Sequence, residues 1–329
     1  MNEPTRESVN AGLQNDPTLK RADLHCHTRF SVFKYFKRAN TRDCYNAPED
    51  VYRIAKERGM SYVTFTDHDS IDGALYFRNK YPDVKDFFIG EEVETKFPDT
   101  GQRIHVGVWG LTEEQHREVQ RLRPNIRELV PYMKQQKMLF GINHLFQSYR
   151  MKNVAAKYIA ELIEMFNIFE VLNGAMASFH NQMIQQLVTT LKHEHGRHVS
   201  MIGGSDAHTL KHVAKVHTVG KGETPEEFLD SVRRGECFAW GSEMRFRELV
   251  ADIYLLTIAY NSEARADLMS TEYSAMEKTI QLATRLASIP TAIAGLPAAI
   301  TSLNYLKQIV VTKGIAYRFS KLVEELREQ

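Results

Sequence analysis

Apolar residues fall into two rhythms along the chain. From about Arg21 to Phe246, short apolar runs rich in β-branched and aromatic residues alternate with longer stretches at helical spacing. That alternation is the pattern of βα units around parallel strands. The spacing predicts a helix over Pro48–Arg58, where Pro48 suits the first turn, Val51, Ile54 and Ala55 share a face, and Gly59 follows as a stop. Strands are predicted at 62–66, 86–94, 104–110, 137–143, 168–173 and 198–204, with helices over Glu113–Met133, Val154–Met165 and Met176–His195. After about Arg247 the strand signals fade, and stretches rich in Ala, Leu, Met, Glu and Lys continue to Gln329. Pro290 and Pro297 divide that region into three helices. Residues 1–19 are polar and aperiodic, a mobile arm; 20–246 form the α/β region and 247–329 a helical extension.

Composition narrows the partners. The 329 residues are 43% hydrophobic, enough for one large core and an appendage. Lys and Arg number 42 against 41 Asp and Glu, so the net charge of +1 gives no global field to gather nucleic acid or anionic lipid. Cys26, Cys44 and Cys237 are too scattered for a disulfide framework, and the polar start lacks the apolar core of a signal peptide, which together imply a cytoplasmic protein. The stretch Ala283–Thr301 holds an arginine and two prolines and makes a poor spanning helix. The apolar faces of the C-terminal helices are read as packing on the α/β region or on a second copy of the chain, ahead of membrane contact.

The chemistry lies where histidines and carboxylates stand relative to the strands. In a parallel α/β barrel, functional groups project from the C-terminal ends of strands. In ADLHCHT the period-two alternation puts His25 and His27 on one side and Cys26 on the other. His68 follows YVTFT, Glu92 follows FFIG, His144 follows LFGIN, and Asp206 with His208 follows SMIGG; His105 stands near the start of its run. One histidine beside an apolar run is ordinarily structural. Six of thirteen at or near strand ends, with acidic partners, point to metal ligation. Imidazole and carboxylate without thiolate suit Zn, Mn or Fe. The other histidines take plainer roles: His193, His195 and His198 flank a helix end, His116 lies on a helix surface, and His180, His212 and His217 sit near candidate loops. Cys26, between two metal-facing residues, is read as packing, and GGSDAH lacks the lysine of a phosphate-cradling loop.

In order, HxH at 25–27, TDH at 66–68, GxE at 90–92, HV at 105–106, NH at 143–144 and SDAH at 205–208 resemble the motifs of the polymerase-and-histidinol-phosphatase (PHP) superfamily, over roughly residues 20–245. The resemblance implies a distorted (β/α)7 TIM-like barrel holding two or three divalent metal ions. By it, His25, His27, Glu92 and Asp206 hold one ion, Glu92 bridges with His105 and His144 to a second, and His68 and His208 hold a third. Family members supply a further His or Asp at positions that are Val32 and Phe33 here, so Asp43, Asp67 or Asp69 is the substitute sought. The implied activity is hydrolysis of a small phosphorylated substrate by water activated between metals ~3.5–4 Å apart. Arg29 or Arg150 is the candidate phosphate clamp and Asp67 or His208 the candidate acid, with Lys34, Lys37, Arg38 and Arg42 in an enlarged first loop. Two other readings are a metal-dependent hydrolase of carbon–nitrogen bonds and a non-catalytic, metal-stabilised interaction module.

Overall fold

The computed structural model describes residues 18–31, 41–145, 147, 156–193, 196–271 and 273–327. Its α/β part holds two sheets. Strands β1 (Leu19–Ala22), β7 (Val216–Lys221) and β8 (Phe238–Gly241) form one, in the order β1-β7-β8; β2 (Gly90–Lys96), β3 (Arg103–Trp109), β4 (Leu139–Ile142), β5 (Ile168–Asn173) and β6 (Ser200–Gly204) form the other, in sequence order. Single parallel bridges join Ala22 to Tyr62, Cys26 to Ala207, Val63 to Phe87 and His68 to Glu92. The fold is therefore α/β, and its regular pairing gives two sheets rather than one closed barrel.

Among the described strands, β4-β5-β6 pair in parallel, whereas β2-β3, β3-β4 and the whole three-stranded sheet are antiparallel. The connection from Lys96 to Arg103 explains the first departure: it is too short for the dozen or so residues a crossover needs, so β3 turns back on β2. The segment predicted as a strand at 62–66 is instead held by isolated bridges. Strands β7 and β8, unanticipated from the sequence, lie where short runs such as FAWG give little periodic signal.

The helices follow the pattern with two corrections. Helix α1 (Pro48–Glu57) begins at Pro48 as expected, and α2 (Asp72–Lys80) follows the TDH turn. The stretch predicted as one helix over Glu113–Met133 divides into α3 (Glu113–Leu122) and α4 (Ile126–Gln135). Pro124 stands at the break, and the Asn125 side chain starts the second helix by accepting from the Arg127 amide at 3.1 Å. Next come α5 (Ala156–Met165), α6 (Ser178–His193) and α7 (Pro225–Arg233). From Phe246 onward the described residues hold α8 (Phe246–Ser262), α9 (Ala264–Met269), α10 (Ala275–Ile293) and α11 (Leu296–Arg327), four helices rather than three. Pro290 stays inside α10; the break falls at Gly295, whose φ of +77° suits glycine, and Pro297 sits in the first turn of α11.

A core of large buried side chains, among them Phe65, Phe77, Phe97, Phe166 and Phe169, stabilises the sheet and its helices. The C-terminal helices are tied to this body through Asp252 of α8, whose Oδ1 lies 3.2 Å from His212 Nε2 and whose Oδ2 accepts from Thr209 at 3.1 Å. Both partners lie in the loop after β6.

Candidate metal centre

The HxH and SDAH segments meet because a buried carboxylate draws them together. Asp23 accepts from the amides of Ser205 at 2.9 Å, Ala214 at 2.8 Å and His25 at 3.2 Å, and from the Ser205 hydroxyl at 2.5 Å. Burial outweighs these bonds and pushes its pKa up to about 6. The two chains run so close that a Cβ on Gly204 would stand 2.3 Å from the His25 Cβ, so only glycine fits there. His25 and His27 point to one side with ring centroids 5.2 Å apart, while the Cys26 thiol turns away and donates to Thr64 O at 3.1 Å. Burial raises that thiol's pKa well above its usual range, in keeping with a packing residue rather than a nucleophile.

Glu92, on β2, is the hub. Its Oε1 lies 2.9 Å from His144 Nε2, 3.2 Å from His105 Nδ1 and 3.2 Å from His25 Nε2; its Oε2 lies 3.0 Å from His68 Nδ1 and 3.6 Å from His27 Nε2. His105 enters the cluster from the start of β3 because that strand is antiparallel to β2, which puts its beginning beside the end of β2. Asp206 Oδ1 lies 3.3 Å from His27 Nε2 and 3.4 Å from His25 Nε2. Two of these residues adopt unusual backbone: φ is +50° at Asp206 and +24° at His144, a conformation non-glycine residues keep only where the surroundings impose it.

Four triads have ligand atoms within 4.8 Å of one another: His25 with His27 and Asp206, His25 with Glu92 and His144, His68 with Glu92 and His105, and His27 with His68 and His208. The eight residues anticipated as ligands thus converge on one place. Asp43 joins them. Its Oδ2 stands 3.2 Å from His68 Nε2 and 3.8 Å from His208 Nε2, beside the triad that lacks a carboxylate. Of the three substitutes considered from the sequence, it is the one so placed. Asp69 Oδ1 instead accepts from the Glu94 amide at 2.8 Å and lies 3.2 Å from Arg123 Nη1. Asp67 is locked by Thr28, accepting from its amide at 2.6 Å and its hydroxyl at 2.7 Å, and does not line the cavity.

Charge in the cluster is mutually sustained. Burial opposes ionisation of Glu92 and Asp206, yet the surrounding imidazoles, His25 foremost, hold both carboxyls well below their usual range. Burial likewise disfavours a charged His25, but Glu92, Asp206 and Glu170 raise its pKa well above the ordinary value. His27, desolvated and facing His208, is pushed down to about 4. The donor set fits divalent metal ions on an observation of the fold itself: His25 Nε2, His27 Nε2, Glu92 Oε2 and Asp43 Oδ1 are buried with no hydrogen-bond partner. Thiolates are absent from the described triads, and Cys44 donates to His27 O at 3.2 Å instead.

Reading for ligands alone misses Glu170 and Asn173, which stand behind the cluster. Glu170 Oε1 lies 2.9 Å from His25 Nδ1, and its Oε2 accepts from the His144 amide at 2.8 Å and from Asn173 Nδ2 at 2.9 Å. Asn173 Nδ2 also donates to Asp206 at 3.2 Å. A carboxylate inside the buried run IFEVLN was the available signal. Other side chains depart from their anticipated places. His116 is drawn to buried Glu91 at 2.9 Å rather than lying free on its helix. Arg29 is not among the cavity-lining residues, and Arg42 lies 3.5 Å from Glu263. Arg150, Val32, Phe33, Lys34, Lys37 and Arg38 lie outside the described residues, as do His195 and positions 1–17 of the anticipated arm.

The cluster forms the floor of a cavity of about 670 Å³. His68, Glu92, His105, His144, Asp206 and His208 line one side, and α8 and α11 supply the opposite wall, including Leu249, Ile253, Leu256, Tyr305 and Lys307. Arg103, held 3.0 Å from Glu94, is a second cation facing it.

Residues 195–237, which include the SDAH segment, match the family model described as PHP-associated. The matched segment carries the last of the ordered motifs and agrees with their resemblance to the PHP superfamily. An uncharacterized protein of Methanocaldococcus jannaschii is 34% identical over 55 residues, which cover 17% of this chain and 32% of that protein. The chain therefore spans about a third of the curated relative it matches. Among solved structures, PsfC from Pseudomonas syringae aligns at a TM-score of 0.47 with 16% identity, over 73% of this chain and 97% of that one. An amidohydrolase from Chromobacterium violaceum with bound sulfate aligns at 0.44 with 15% identity, over 70% and 96%. A candidate metal-dependent phosphoesterase from Bifidobacterium adolescentis aligns at 0.43 with 14% identity, over 65% and 96%. Likeness of this degree carries no argument about chemistry.

Proposed function

We propose that this chain is a metal-dependent phosphoesterase. The observation that carries the reading is the convergence of four overlapping ligand triads, sharing His25, His27, His68 and Glu92, on a cavity that also presents Arg103 and Lys307. Two or three divalent ions, Zn, Mn or Fe, are the group this donor set suits. His25, His27 and Asp206 would hold one, Glu92 with His144 and His105 a second, and His68, His208 and Asp43 a third. When bound, such ions supply Lewis acidity that brings the pKa of water toward neutrality.

The chain's own residues do the rest. Glu170 and Asn173 fix the faces that His25 and Asp206 present, as outer partners of metal ligands do. Arg103 and Lys307 attract the negative charge of a phosphate ester and orient it. His208, on the cavity wall with Nδ1 beside Asp206 O, would hold the third ion through Nε2 or, with that ion not bound, donate a proton from Nε2 to the leaving oxygen; Asp67, turned to Thr28, is set aside from that role. We read the bridges at Ala22, Cys26, Val63 and His68 as the weak seams of a seven-stranded (β/α)7 barrel, and Phe246 onward as a separate helical extension that walls its mouth. The bridges support the first reading by linking the segments around 22–26 and 62–68 to both edges of the five-stranded sheet.

The test is a substrate panel on protein loaded with Mn²⁺ or Zn²⁺. Phosphomonoesters or diesters should be hydrolysed, with activity lost on chelation and regained on adding metal back. Hydrolysis confined to amides would replace this reading with carbon–nitrogen chemistry. Metal bound without hydrolysis of either class would leave an interaction module.

A further inference from the structure

The C-terminal helices present a surface that the metal chemistry does not use. Among the described residues no single helix is long and apolar enough to cross a membrane, but α10 and the part of α11 from Leu296 to Gly314 together have the length and composition of a broken span, bent by 77°. Between Leu286 and Leu306 there is no charged side chain. Large apolar residues stand out around the corner: Ile293 is 83% exposed, Leu303 67% and Leu286 64%, with Ile289, Ile300, Leu306 and Val310 each at least half exposed. On α10, Leu282, Leu286, Ile289 and Ile293 share one face; on α11, Leu296, Ile300, Leu303 and Val310 share another.

We propose that this corner docks into the surface of an anionic lipid bilayer, with the apolar edges of α10 and α11 in the acyl boundary and the metal centre alongside. Three observations favour lipid over a second copy of the chain. The two stripes diverge with the bend, so one straight partner helix covers only one of them, whereas hydrocarbon conforms to both. The serine and threonine hydroxyls in the run are already satisfied within their helices: Ser288 donates to Arg285 O, Thr291 to Ala287 O, Thr301 to Pro297 O and Ser302 to Ala298 O, at 2.8 to 2.9 Å. They ask nothing of water. From Lys278 to Lys313 there is no acidic residue, and Lys278 and Lys313 bracket the apolar run, a charge pattern matched to anionic headgroups. Arg285, buried and 2.5 Å from Asp267, anchors α10 to the protein and is not part of the lipid-facing edge. The opposite side of α11, with Thr301, Asn304, Tyr305 and Gln308, lines the cavity of the metal centre.

The inference does not depend on the hydrolase reading, and its test does not measure catalysis. The whole 329-residue chain, metal-loaded, is floated with vesicles of phosphatidylcholine alone and of phosphatidylcholine with phosphatidylglycerol. It should float with the mixed vesicles and less with the neutral ones. Ile293→Asp with Leu303→Asp should reduce flotation by roughly tenfold or more, since a charge is placed where acyl chains are met. Lys313→Glu should weaken the preference for anionic vesicles. Unchanged metal content and circular dichroism show that the variants are folded, and Leu286→Ser offers a milder change in the same direction. Failure to float with either vesicle type overturns the proposal. So does a dimer in vesicle-free solution that the same substitutions dissociate, which would assign the face to a second copy.

Discussion

The α/β region and the C-terminal helices break the usual rule of burial in opposite directions. Around Glu92 the α/β region buries imidazoles and carboxylates, groups that normally seek water; Glu92, His25 and His27 are each at most 1% exposed. Helices α10 and α11 leave leucines and isoleucines outside. Buried polar groups with orphaned atoms point inward to a ligand, and an exposed apolar patch points outward to a surface. The regions meet at one cavity, whose floor is polar and comes from strands and loops, and whose far wall, from α8 and α11, mixes apolar side chains such as Leu249, Ile253 and Leu256 with polar ones such as Asn304 and Gln308.

The sharpest way to break the comparison is to remove a ligand. Asp206→Ala should abolish hydrolysis, by roughly a thousandfold or more, and lower the bound metal measured by elemental analysis. Unchanged metal content in a folded variant would contradict the inward-pointing role of the cluster.

Not every buried imidazole belongs to the centre, and His217 on β7 is the control. Its neighbours are the Ala214 carbonyl, 3.3 Å away, and the cationic Arg21, and burial pushes it down to about 4 from 6.5. The unfolded chain therefore binds the extra proton first. The stability this neutral imidazole contributes is intact above about pH 6.5 and is lost as pH falls toward 4, by about 3 kcal/mol at roughly 1.4 kcal/mol per unit. Urea unfolding of His217→Gln across that range should show a shallower loss than the parent protein. Equal slopes would remove His217 from the account.

A smaller effect is expected one layer out. Glu170→Gln keeps the shape but weakens the hold on His25, so metal affinity should fall about 10- to 100-fold with the fold intact, as seen in metal titrations. The smallest concerns the helical wall. Lys307→Ala should raise KM several-fold, on the order of 1 kcal/mol, and leave kcat nearly unchanged, because a cation at the cavity edge attracts substrate more than it touches the reacting atoms. A large loss of kcat would place Lys307 nearer the chemistry.

The convergence of the eight candidate ligands was legible in the sequence because strand ends advertise themselves: an imidazole or carboxylate just after an apolar run has few structural reasons to be there. Asp43 was legible only as one of three substitutes, since its approach to His68 depends on the path of the first loop. Asp23 and Glu170 were hidden because a buried carboxylate serving amides and imidazoles leaves no spacing pattern. The strand at 62–66 failed for another reason: periodicity reports burial, and YVTFT is buried yet paired only by single bridges. Antiparallel β2–β3 could have been anticipated from its short connection, whereas β7 and β8 could not, their pairing with β1 being set by contacts distant in sequence. The apolar corner was visible as a composition shift, but its exposure is a fact of tertiary structure.

The most direct test of the central claim is elemental analysis of protein purified without chelator, with the Asp206→Ala variant beside it. Two or three equivalents of Zn, Mn or Fe per chain, with the variant clearly depleted, is the predicted result. Less than one equivalent, with none taken up when Mn²⁺ or Zn²⁺ is supplied, would contradict it.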